Sequence, residues 1–130
     1  MRCFEHAIGY LWLFWPNFVL HDGLLLGEGF SQSALTGFLV QSDKNKSDNE
    51  IKSAVEAVMN HIHLSSLFTT DNRPTHAQLQ WLGKRIQEMW RAKLNLDFPS
   101  LDINVEFYLP SDSDDLEEYQ VTAFRNRGPG

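Results

Sequence analysis

Leu101, Ile103, Val105, Phe107 and Leu109 alternate with Asp102, Asn104, Glu106 and Tyr108. Strict period-two alternation specifies a β-strand with one buried and one solvated face, and a slip of one residue would exchange the two faces. No other segment constrains the fold as tightly. The strand also lies in an unusual electrostatic setting. Residues 94–124 carry eight acids (Asp97, Asp102, Glu106, Asp112, Asp114, Asp115, Glu117 and Glu118) and no Lys, Arg or His. A sheet face with that charge selects cationic partners and repels nucleic acid.

A second strand pair is written in the turn chemistry. Phe18, Val19, Leu20 and His21 are separated from Leu24, Leu25 and Leu26 by Asp22-Gly23. Asp-Gly supplies the two positive φ angles of a type I′ turn, which predicts a hairpin. Gly27 and Gly29 follow and suggest a bulge or a close backbone approach. They do not form a phosphate loop, because a third glycine and a βαβ setting are missing.

Helical spacing occupies most of the rest. Residues 2–15 are apolar nearly all round, which predicts a helix covered on more than one side and ended by Pro16. The apolar run at 8–15 is too short to span a membrane, and Glu5-His6 stands where a secretory signal would be basic. Ser31 is placed to cap a short helix through Leu39. Ser47 with Glu50, and Thr75 with Gln78, form two candidate capping boxes. The first precedes Ile51, Ala54, Val55, Val58, Met59 and Ile62; the second precedes Leu79, Leu82, Ile86, Met89, Trp90 and Leu94. A last strand is expected over 118–125, with a frayed tail over 126–130. The order predicts an α+β fold: one domain over 1–130, an antiparallel sheet of about four strands from two hairpins, and three to four helices on one face.

A chain of 130 residues, 42% of them hydrophobic, can bury about two-thirds of its unfolded surface and needs no covalent staples. Its single cysteine, Cys3, excludes an internal disulfide and fits a reducing, cytoplasmic location. The net charge of −6 opposes binding to nucleic acid or to an anionic membrane.

No catalytic motif emerges. Five histidines invite a metal hypothesis, with His21, His61, His63 and His76 as its bearers. If the helix beginning at Ile51 runs through Ile62, His61 and His63 point about 200° apart and cannot share an ion. No metal ligand, cofactor or catalytic residue is therefore assigned. One residue breaks its local pattern: Trp81 falls on the polar side of the helix that carries Leu79 and Ile86, as an exposed anchor or beneath residues 65–73. With the acids it gives a candidate partner-binding set of Trp81, Asp102, Glu106, Tyr108, Asp112, Asp114 and Asp115.

Trp15-Pro16-x-Phe18-Val19-x-x-Asp22-Gly23, followed by Met59-Asn60-His61-Ile62-His63-Leu64-x-x-Leu67-Phe68, resembles a family of small uncharacterised bacterial proteins. The likeness covers under half of the chain and implies no site residues. In character the chain is similar to immunity proteins, which neutralise toxic effector domains and are small, acidic, cytoplasmic and non-catalytic. That similarity implies an acidic inhibitor of a basic protein partner. The alternatives are a small-molecule or metal-dependent enzyme using the histidines, and a self-associating structural subunit.

Overall fold

The computed structural model describes residues 2–111 and 116–128, without the side chains of residues 2–5, 70 and 117. The fold is α+β, with four α-helices and two small antiparallel sheets among the described residues. Helix α1 spans Arg2–Phe14, β1 Phe18–His21, β2 Leu24–Gly27, α2 Gln32–Val40 and α3 Asp48–Asn60. Strand β3 (Ile62–His63) and short 3₁₀ turns lead to the long α4 (His76–Asp97), then β4 (Ile103–Tyr108) and β5 (Gln120–Arg125). No described helix is long and apolar enough to cross a membrane.

Local chemistry places the elements where expected. Asp22 and Gly23 adopt φ of 51° and 79°, and β1 pairs with β2 in the register Phe18↔Gly27 to His21↔Leu24. Ser31, Ser47 and Thr75 each accept a backbone N–H of the first helical turn, and Gln78 closes a full capping box on α4. The alternating strand is β4. Val105 and Phe107 join the core beneath α4, so Asn104, Glu106 and Tyr108 take the other face.

The sheets differ from expectation in two ways. The hairpin β1–β2 stands apart, and the second sheet has the order β3-β5-β4, so the two hairpins do not form one four-stranded sheet. The helices also do not share one face. Val121 and Ala123 of β5 pack with Leu79, Ile86, Trp90 and Leu94 of α4, whereas Thr122 between them donates its hydroxyl to the Ala57 carbonyl of α3. Strand β5 is thus covered on both faces. A smaller core of Leu24, Leu26, Leu35 and Val55 fills the space between the hairpin, α2 and α3.

A polar stripe on α3 explains the separation. Ser53, Glu56 and Asn60 lie at positions i, i+3 and i+7 and so share a helix flank. Strand β3 pairs with only residues 120–121 of β5, which leaves the edge at residues 123–125 without a strand partner. Asn60 donates to the Ala123 carbonyl (2.9 Å), Ser53 donates to the Arg125 carbonyl (2.8 Å), and Glu56 accepts the Arg125 N–H (2.9 Å). On their other side Glu56 accepts the Leu25 N–H (2.6 Å), and Asn60 accepts the Gly27 N–H and donates to the Leu25 carbonyl. The three side chains occupy the place a further strand would take. They satisfy the open edges of β2 and β5 and keep them from pairing with each other or with another chain.

The tail is held as well. Arg127 forms a bidentate pair with Glu56, both N···O distances being 2.7 Å, and donates to the Gly23 carbonyl at the hairpin tip. Asn126 donates its N–H to the Asp102 carbonyl, and the Gly128 carbonyl accepts from Asn49. Of the tail expected to fray over 126–130, residues 126–128 are hydrogen-bonded to the fold, Arg127 reaching the hairpin, and residues 129–130 lie outside the described residues. Helix α1 is the opposite case. It packs on α4 through Leu13 and Phe14 but leaves Tyr10, Leu11 and Trp12 exposed, so among the described residues it is not covered on several sides as its apolar sequence suggested.

Candidate functional site

The proposed partner-binding residues fall on two sides of the molecule. Trp81 lies on the outer side of α4, 61% exposed, with the Arg85 guanidinium 5.3 Å from its ring centre and Arg85 paired to Glu88. Residues 65–73 therefore leave it open. Glu106 and Tyr108 lie on the β4 face turned away from α4, and Asp102 stands just before that strand. Asp102 is exposed and its carboxylate accepts from the Asn126 amide. Tyr108 is 46% exposed; partial burial pushes its phenol above the ordinary value, and the charge of Glu106 adds to that rise. The structure thus groups Asp102, Glu106 and Tyr108 and sets Trp81 apart from them. Asp112, Asp114 and Asp115 lie outside the described residues.

The histidines are placed differently from the helical projection. Helix α3 ends at Asn60, and His61 is already extended (φ −71°, ψ 146°). Ile62 and His63 then pair with Val121 and Gln120. Extension puts residues i and i+2 on one side, and the His61 and His63 rings meet edge to face with centres 5.0 Å apart. Periodicity carried the helix two residues too far because Ile62 extends the apolar series, yet its partner is β5. Proximity alone makes no metal centre: among the described residues no three of His, Cys, Asp or Glu converge to hold an ion. His76 is engaged with the buried Tyr119 hydroxyl (2.9 Å), and His21 packs against Phe30 beside Asp22.

One concavity had no counterpart in the sequence reading. A cleft of about 530 Å³ opens between the end of α1, the hairpin with its 27–29 segment, and the residues that end α3. Phe18 and Trp90 line it in an edge-to-face pair with centres 5.7 Å apart, and Trp90 donates its indole N–H to the Leu13 carbonyl (2.7 Å). Trp12, 66% exposed, and Phe30 also line it, as do Glu28 and His61. The available signals were Gly27 and Gly29, read only as a bulge or close approach, and the aromatic residues near Pro16. None of them reveals that α1 and α3 close on the same space.

Comparison of the chain with protein-family models, with curated proteins and with solved structures finds no match.

Proposed function

We propose that the protein is a non-catalytic protein-binding module, an acidic inhibitor of the immunity type that occludes a basic partner in the cytoplasm. The observation that carries this reading is the placement of Glu106 and the half-exposed Tyr108 on one face of β4, with Asp102 just before that strand and Asp112, Asp114 and Asp115 next in sequence. Acids of one sign raise the encounter rate with a cationic surface, and an amphipathic ring at their centre supplies contact area that charge alone does not. Trp81 lies outside this footprint because it stands on the other side of the sheet layer, beyond α4.

The test is capture of partners from an extract of the source organism at low and moderate salt, with Tyr108→Ala and Trp81→Ala proteins alongside. One stoichiometric basic protein, lost as salt rises, held by Trp81→Ala and weakened by Tyr108→Ala, is the expected result. An empty capture, or a partner indifferent to salt, overturns the reading. Replacing Asp112, Asp114 and Asp115 with Asn should slow association with that partner and flatten its salt dependence.

A further inference from the structure

The cleft beside α1 differs in chemistry from the β4 face and can be considered independently of it. Its volume lies in the range of small-ligand pockets. Its aromatic surface is fixed in advance. The indole N–H of Trp90 is already committed to Leu13, Phe18 abuts Trp90, and Phe30 is backed by the His21 ring at 5.0 Å. A ligand therefore meets π-faces and edges that need little ordering on binding.

The polar groups of the lining are biased towards acceptors. Asn60 has its amide committed to Leu25, Ala123 and Gly27. Asn17 has its oxygen committed to the Lys93 ammonium at 3.0 Å, which leaves its amide N–H groups as donors. His61 has Nδ1 against the Val58 carbonyl, which only accepts; with Nδ1 as the donor there, Nε2 is the ring atom left to accept. Glu28 is the one acidic residue of the lining, and no Lys or Arg lines the cleft. The nearby cation, Lys93, is largely buried and paired with Asp97.

Aromatic walls, a carboxylate and an imidazole acceptor together favour a ligand that carries positive charge and N–H donors on an apolar body. We propose that this cleft binds a small organic cation, a protonated primary amine or amidine on a ring-sized apolar group. The ring stacks among Trp12, Phe18, Phe30 and Trp90, and the charged nitrogen faces Glu28 and Nε2 of His61. An anion of the same shape is repelled by Glu28, and a neutral analogue loses the charge-assisted bond.

Titration with benzylamine, benzyl alcohol and benzoate, followed by NMR of the Trp12 and Trp90 indole N–H signals, tests this. Benzylamine should give saturable shifts, benzyl alcohol should bind at least about fivefold more weakly, and benzoate should not bind. Glu28→Gln should weaken benzylamine by about fivefold and leave benzyl alcohol unchanged. Trp12→Ala should weaken both. Glu28 and Trp12 are exposed, and the remaining indole signals report that each variant is folded. Absence of saturable shifts, equal binding of amine and alcohol, benzoate binding, or an indifferent Glu28→Gln each overturns the proposal. None of these outcomes bears on the β4 docking face, whose own test uses a protein partner.

Discussion

Helices α3 and α4 invert the usual distribution of side chains in opposite ways. Helix α3 buries a carboxylate completely, Glu56 being 0% exposed, while α4 leaves the Trp81 indole open to solvent. Both facts follow from what arrives at each helix. The Glu56 flank meets two strand edges with unpaired N–H groups and the Arg127 guanidinium, so the carboxylate has four donors within hydrogen-bond distance. Among the described residues no buried side-chain N or O atom lacks a partner. Among the described residues the Trp81 flank stays open, with the Arg85 guanidinium over its ring. A helical wheel ranks faces by hydrophobicity, but the cost of burying a face depends on the donors that meet it.

The sharpest way to break this comparison is Glu56→Ala. It strands two backbone N–H groups and leaves the Arg127 guanidinium, held in a largely buried position, without its partner. Removing one member of a buried pair costs about 3–5 kcal/mol, which denaturant unfolding would register as a lower midpoint. A loss under about 1 kcal/mol would mean that water replaces the carboxylate and that the stripe does not hold the sheets apart.

Gly83→Ala probes the inner face of α4. On an exposed helix face alanine in place of glycine gains about 1 kcal/mol. Here a Cβ would overlap the Phe107 ring, which itself stacks on Tyr119 at 6.1 Å. The overlap should reverse the sign and destabilise by about 1–3 kcal/mol. Adding Phe107→Leu to the Gly83→Ala protein should recover part of the loss. A Gly83→Ala protein more stable than the parent would show that β4 can move away from α4.

What the sequence made legible was local. The Asp22-Gly23 turn, the caps at Ser31, Ser47 and Thr75, and the alternation along β4 depend on neighbours a few residues away. The wheel put Trp81 on the polar side of α4 but left open whether residues 65–73 cover it; the structure leaves it 61% exposed. The illegible parts depend on distant meetings. Ser53, Glu56 and Asn60 look like the solvated flank of an amphipathic helix until Arg125 and Arg127, some 70 positions later, are brought beside them. The same holds for His61 and His63, whose shared side depends on pairing with Gln120 and Val121. The cleft beside α1 needs four separate segments to exist.

Trp81→Ala is the counterpart of Glu56→Ala on the outer side. An indole without a covering segment has little native packing to lose, so unfolding free energy should stay within about 0.5 kcal/mol of the parent. Together the two substitutions sharpen the contrast: removing the buried charge should harm the fold, and removing the exposed aromatic should not. A loss above about 2 kcal/mol for Trp81→Ala would place part of the core on the outer face of α4.

The smallest expected effect belongs to Tyr108, which lies between the two extremes, being half-exposed and next to an acid on its own strand face. Its phenol is raised above the ordinary value of 10.0, first by burial and then by Glu106. The folded state therefore holds the proton more tightly than the unfolded chain. The associated stability is fully present below pH 10 and is lost as pH rises through the folded-state value. Phenolate absorbance of the parent minus that of Tyr108→Phe isolates this group. Glu106→Gln removes the lesser cause, so the titration should move down only part of the way and stay above the ordinary value. A return to that value in Glu106→Gln would mean that charge outweighs desolvation at this position. The acidic face would then act on its own aromatic residue as strongly as the docking proposal requires it to act on a partner.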